Sequence, residues 1–155
     1  MYEYLIYAII IFSLIYLINI IRFIIGMATQ NPLLENTKSH PVSIIIAVKN
    51  GQKNVLRMLK KLSQQSYDGD MEFIIVDDRS TDQTKNIIND YTNIDSRVKY
   101  INSIEGASYL GHKKRALDAG IAHSIYEYLL FTDIDCIIQL DWVRSMMSCF
   151  SGEVD

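Results

Sequence analysis

Three clusters of ionisable residues could do chemistry in this chain: Asp77-Asp78, Asp133-Ile134-Asp135 and Lys113-Lys114-Arg115. Carboxylates repel phosphate, but they hold Mg2+ or Mn2+, which in turn bridges phosphate oxygens. They also accept hydrogen bonds from ribose hydroxyls or a base N–H. An Asp-x-Asp on a turn brings two carboxylates near one point, so one can take a metal while the other takes a sugar hydroxyl. The three cations stand at the start of a predicted helix, where basic side chains and the helix N-terminus both favour anions. Together these types and spacings describe a site for a nucleotide diphosphate with a divalent ion. The plainer readings are turn and capping aspartates and a solvated run of charge.

The elements that must position these groups alternate. Val42 to Val48 (VSIIIAV) is a β-branched run, apolar on both faces and too short for a helix, as in a strand buried in a parallel sheet. Val55, Leu59 and Leu62 follow at helical spacing. Glu72 to Asp78 (EFIIVDD) is a second strand ending in acids. Ser80 to Gln83 has the pattern of a capping box opening a helix striped by Ile87, Ile88 and Tyr91. Val98 to Ile101 is a third strand. Ala116, Leu117, Ala119, Gly120 and Ile121 mark a closely packing helix. Tyr128 to Phe131 is a fourth strand, again running into acids, and a last helix is predicted over Asp141 to Phe150. Short connections between alternating elements mean an α/β fold with a mostly parallel sheet and flanking helices. Ligands of such sheets sit at the carboxyl ends of the strands. Both acid clusters fall there, which weighs against the plain reading of the aspartates.

The first segment is of another kind. From Tyr4 to Ile21 the chain carries no charge, and eighteen residues at a helical rise span roughly 27 Å, close to the hydrocarbon core of a bilayer. A cleaved signal peptide would want a basic start and a shorter apolar stretch, whereas Glu3 stands here without Lys or Arg. Residues 1–27 are therefore expected to be a single transmembrane anchor and residues 28–41 a linker. Arg22, Lys38 and Lys49 follow the span, which places the soluble part on the cytoplasmic side of the membrane.

In a chain of 155 residues, 49 % apolar with a net charge of −3, there is room for one domain and no case for global disorder. A pI of 5.6 gives no reason to invoke nucleic acid. Cys136 and Cys149 are too few and too far apart for a disulfide framework or a CxxC motif, as in a reducing compartment. Strand one is followed by Lys49-Asn50-Gly51-Gln52 rather than G-x-G-x-x-G, and no P-loop pattern occurs.

Four segments in order, Val42–Asn50 (VSIIIAVKN), Ile75–Asp82 (IVDDRSTD), Lys113–Gly120 (KKRALDAG) and Leu130–Cys136 (LFTDIDC), resemble the successive motifs of inverting family-two glycosyltransferases. The resemblance implies a GT-A, Rossmann-like fold over residues 42–155 and a nucleotide-sugar donor, typically UDP-linked. It implies donor contacts from Asp77, Asp78, Lys113 and Asp133, and Mg2+ or Mn2+ held by Asp135. The implied activity is transfer of a sugar to a cell-envelope or lipid-linked acceptor. Lys49 and Gly51 stand where the family often has an aromatic or Arg and then Glu, and His112 stands where Gly usually precedes the lysine. The family's acceptor half, with its acidic general base, is expected to lie outside this chain. The competing expectation is a non-catalytic truncated module that at most binds a nucleotide sugar.

Other candidates carry less. His40, His112 and His123 lack metal-ligand spacing. Cys136 reads as a small packing residue and Trp142 as core. Asp133-x-Asp135 as the nucleophile of a haloacid-dehalogenase-type phosphatase would have to end the first strand of its domain, and here it ends the fourth.

Overall fold

The computed structural model describes residues 2–28 and 39–150. The chain divides into two units, one carrying helix α1 (Tyr2–Ala28) and one an α/β body. Within α1, Ile6–Gly26 is long and apolar enough to cross a membrane, by length and composition. Its polar Asn19 is satisfied locally, the amide donating to the Ile15 carbonyl at 2.8 Å, as an apolar surrounding would require. Of the expected linker, Ala28 is the last residue of α1, residues 29–38 lie outside the described residues, and 39–41 are neither helix nor strand. Residues 151–155 of the predicted domain also lie outside them.

The body runs β1 (Val42–Val48), α2 (Val55–Ser63), β2 (Met71–Asp77), α3 (Thr84–Thr92), β3 (Val98–Asn102), a 3-10 turn at Ser103–Glu105, α4 (His112–Ala122), β4 (Tyr128–Phe131) and α5 (Trp142–Ser148). Every strand pair is parallel and the order is β3-β2-β1-β4. The expected α/β fold is the one observed. Period-two alternation sends Ile44, Ile46, Phe73 and Ile75 to one face, where they meet Met58, Leu59 and Leu62 of α2, Ile88 and Tyr91 of α3, and Val143 and Met147 of α5. Ile45, Ile74 and Val76 face the other way, onto Ala116 and Ala119 of α4. That helix lies close because Gly120 lacks a side chain: a Cβ there would sit 2.4 Å from Ile45 Cγ2.

The strand order locates the site. The chain builds β1, β2 and β3 outward in one direction, then crosses back to lay β4 on the free side of β1. The reversal lies between β1 and β4, and a crevice opens at the carboxyl ends of strands at such a point.

The predicted capping box is corrected by the structure. α3 begins at Thr84, and its preceding residue, Gln83, makes no side-chain cap. The Ser80 hydroxyl accepts instead from the backbone N–H of Asn50, while Asp82 accepts from the Thr84 N–H at 3.0 Å. A tertiary partner outcompetes the local one. Trp142 is partly buried against the core as expected, whereas Cys136 is exposed.

Two polar knots lie at the amino ends of the strands, away from the crevice. Buried Glu72 accepts from Ser43 Oγ and from the Ile125 N–H at 2.7 Å, and pairs with Lys99 Nζ at 2.6 Å. Burial pushes its carboxyl up, and these partners together hold it below its ordinary value. In the second knot, Asp95 takes the Arg97 guanidinium at 2.8 and 3.0 Å and the Ser63 hydroxyl at 2.7 Å. The Arg97 hydrogen bonds, against the upward push of burial, lower Asp95 from 3.8 to about 2. A carboxyl depressed in the folded state stabilises above its unfolded pKa, and that stability drains as pH falls through the folded value. Denaturant titrations should therefore show a contribution on the order of 2 kcal/mol, whole above about pH 4 and lost toward pH 2. D95N should flatten that acid limb.

Candidate nucleotide site at the strand switch

An open cleft of about 510 Å³ occupies the switch point, within the size range of small-molecule sites. Its β1 side is Ala47 to Gly51 with Asn54. Its β4 side is Asp133, Ile134 and Asp135, and Asp78, His112 and Lys113 complete the lining. Asp78, Lys113, Asp133 and Asp135, four of the five residues singled out from sequence, are thus brought to one crevice.

The fifth, Asp77, is placed differently. It is buried at 3 % exposure and accepts from the Ser80 N–H at 2.9 Å and the Tyr100 hydroxyl at 3.1 Å. Burial first, and then the Asp77 charge, push the Tyr100 phenol up, so it remains a proton donor in this pair. Asp77 closes β2 and anchors the loop that follows, while Asp78 turns toward the cleft. Buried Asp78 accepts from Ser103 Oγ at 3.0 Å and lies 3.7 Å from the Arg79 guanidinium.

Lys113, on the first turn of α4, pairs its ammonium with the Asp133 carboxylate, and both side chains are more than half exposed. The acid-bearing segment folds back as a turn in which the Cys136 N–H donates to the Asp133 carbonyl at 3.2 Å. Arg57 reaches the Asp135 carbonyl at 3.4 Å. Among the described residues the Asp135 carboxylate has no hydrogen-bond or ion-pair partner, which leaves both its oxygens open to a ligand.

The reading from sequence missed Asn50. Its backbone sits in the left-handed region, φ 52°, and its N–H and side-chain oxygen grip Ser80 and Thr81, at 2.8 Å each. The Gly51 N–H donates to Thr84 Oγ1 at 2.8 Å, and the Gln52 N–H to Asp82 at 3.2 Å. The Gln83 N–H returns a bond to Gln52 Oε1 at 3.1 Å. These bonds clasp the β1–α2 loop to the β2–α3 loop. The signal was available in the Asn-Gly dipeptide, which favours such turns.

Arg79 and His112 also have positive φ, 57° and 48°, so left-handed backbone recurs at two residues of the crevice lining, Asn50 and His112, and beside Asp78 at Arg79. Such conformations strain most side chains. Glycine at His112 should therefore stabilise the chain by about 0.5–1 kcal/mol, and β-branched H112V should cost about 1–2 kcal/mol. Chemical unfolding of the two variants side by side checks this.

No group of three or more His, Cys, Asp or Glu able to cage a metal occurs among the described residues. A hard cation such as Mg2+ or Mn2+ can be held by one or two carboxylates, with water and substrate phosphates completing its shell. The open Asp135 carboxylate and the nearby Asp133 supply that number of oxygen donors.

Residues 43–153 match the family described as Glycosyl transferase family 2. The chain belongs to that family. Similar members include the 4,4'-diaponeurosporenoate glycosyltransferase of Staphylococcus haemolyticus, 33 % identical over 65 % of this chain and 26 % of the relative. Glycosyltransferase AglE of Haloferax volcanii is 32 % identical over 72 % of this chain and 36 % of AglE. The chain thus spans about a third or less of these family members' lengths. In fold, it is similar to the mannosyltransferase PcManGT of Pyrobaculum calidifontis, solved with GDP-Man and Mn2+. There the TM-score is 0.72 at 19 % identity, covering 90 % of this chain and 40 % of the other. It is also similar to S. aureus TarS 1-349 solved with UDP, with a TM-score of 0.55 at 26 % identity, covering 70 % and 31 %. The family and the GT-A fold inferred from the four motifs are both upheld.

Proposed function

We propose that the crevice is the donor site of a metal-assisted glycosyltransferase, binding a nucleotide sugar through its diphosphate. The observation that carries this reading is the convergence of Asp78, Lys113, Asp133 and Asp135 at the crevice of the strand switch. Family membership and the nucleotide complexes of PcManGT and TarS support it. Asp77 acts by fixing the loop from which Asp78 reaches the nucleoside. Asp133 and Lys113 hold the diphosphate-sugar end. Asp135, with Asp133 beside it, would hold Mg2+ or Mn2+, which supplies charge neutralisation to the leaving diphosphate. Transfer itself needs a base to deprotonate the acceptor hydroxyl, and no residue of this crevice is assigned that role.

The apolar α1 is read as a single-pass anchor, with the body on the cytoplasmic side and a cell-envelope or lipid-linked acceptor. The alternative is a module that binds the donor without transferring it. Calorimetric titration of the full chain in detergent with UDP and with GDP, each with and without Mn2+, tests the donor reading. Binding of one nucleotide that strengthens with Mn2+ supports it, and indifference to both nucleotides overturns it. Turnover of the matching nucleotide sugar then separates enzyme from binding module.

A further inference from the structure

Among the described residues on the outer face of α2, Arg57 alone bonds to the crevice turn, at the Asp135 carbonyl, and the charge of this face is one-sided. Val55, Met58, Leu59 and Leu62 form the buried stripe. On a 3.6-residue helix the opposite side is then Lys53, Leu56, Arg57, Lys60 and Gln64. Lys53, Arg57 and Lys60 are exposed, Leu56 is 42 % exposed among them, and Lys61 flanks the stripe. Among the described residues none of these four cations forms an ion pair. From Asn36 to Tyr67 there is no acidic residue, although the chain as a whole is acidic, with 18 Asp and Glu against 15 Lys and Arg.

We infer that this face of α2 docks on an anionic bilayer surface. The inference rests on the anchoring of α1 proposed above. The thirteen residues between Ala28 and Val42 keep the body within about 45 Å of the membrane that holds α1. Clusters of four or more Lys and Arg close to a span are drawn to acidic headgroups, within a Debye length of about 8–10 Å. Leu56 projects from the middle of the cations and adds an apolar contact at the headgroup boundary. The cytoplasmic leaflet, where the Lys/Arg asymmetry puts the body, is the anionic one. Docking through α2 would hold the crevice at a set attitude to the lipid surface.

The test uses the full chain with Cys136 and Cys149 changed to Ser and a fluorophore on L56C, reconstituted in vesicles carrying a headgroup-linked quencher. Quenching should be strong with about 30 mol % phosphatidylglycerol, weak in pure phosphatidylcholine, and relieved by about 0.5 M salt. K53E/K60E should weaken docking at least about 20-fold, and the milder K53Q/K60Q should weaken it in the same direction if the reversal disturbs folding. Equal quenching in both lipids, or quenching untouched by either variant, overturns the inference. So does a face that ignores both lipids and is shielded by soluble polyglutamate, which would assign it to an acidic protein. Flotation separates the two readings: a chain that fails to float with neutral vesicles overturns the anchor, and flotation with anionic vesicles alone then upholds the docking face.

Discussion

Replacing Asp135 by alanine removes the metal-dependent part of nucleotide binding and leaves the fold intact. The expectation follows from how few oxygen donors the crevice offers. Asp133 is already engaged by Lys113, so Asp135 is the carboxylate that can meet a cation without first breaking a pair. An ion held by one or two carboxylates has no other protein ligand to compensate for a missing one. The loss should exceed the 10–100-fold that changes to outer-shell groups typically cost. Asp135 is exposed, so unfolding should move by less than about 0.5 kcal/mol. Titration with the nucleotide, with and without Mn2+, reads the first quantity and chemical denaturation the second. An affinity gain from Mn2+ that survives unchanged in D135A would sink the metal assignment. K113A gives the complementary result: the ion pair is lost and Asp133 is freed, so Mn2+ alone should bind no more weakly while the nucleotide binds less well.

The largest structural effect is expected at Gly106, outside the crevice. A Cβ at this position would lie 2.1 Å from the Arg115 carbonyl oxygen and 3.1 Å from the Ala119 nitrogen, both backbone atoms of α4. The loop is stapled there by Arg115, which donates to the carbonyls of Gly106 at 3.0 Å and Ile104 at 2.6 Å. Asp118 adds a bond from the Ala107 N–H at 2.8 Å. A methyl group forces the helix and loop apart because neither backbone can rotate away as a side chain would. Overpacking of this kind costs about 2–4 kcal/mol. α4 carries His112 and Lys113 at its first turn, so G106A should weaken nucleotide binding as well as lower the Tm. Gly111 is the control: nothing lies within 4 Å of its would-be Cβ, and G111A should shift stability by less than about 1 kcal/mol.

The framework could be read from residue types because its causes are local. β1 and β4 span the residues expected of them, since an apolar run, broken in β1 only by Ser43, has one natural extent. The helical stripe of α2 needed only Met58 added. The crevice was legible as a set of acids at strand ends but not as a geometry. Asp77 and Asp78 are adjacent, side chains at a strand end point alternately to opposite sides, and nothing local tells which of the two meets the ligand. Ser80 was misassigned for a related reason. Its hydroxyl is aimed at the N–H of Asn50, thirty residues earlier, rather than at the start of the helix that follows. The left-handed backbone at His112 was hidden as well, since histidine tolerates that conformation without announcing it as glycine would.

The clasp between the first two loops makes the crevice lopsided. The bonds around Asn50, Gly51 and Gln52 are short, 2.8–3.2 Å, and join two loops into one block. Across from it, the turn bearing Asp133 and Asp135 hangs on longer bonds of 3.2–3.5 Å and on one exposed ion pair. The entropy of ordering a bound ligand's surroundings is then spent on one wall alone. Under the proposed donor reading, nucleoside recognition against the clasped wall would be close to lock-and-key. On the same reading, selection of the sugar and metal by the looser wall would be coupled to that wall's settling, so a change in donor preference could arise there without disturbing the nucleoside pocket.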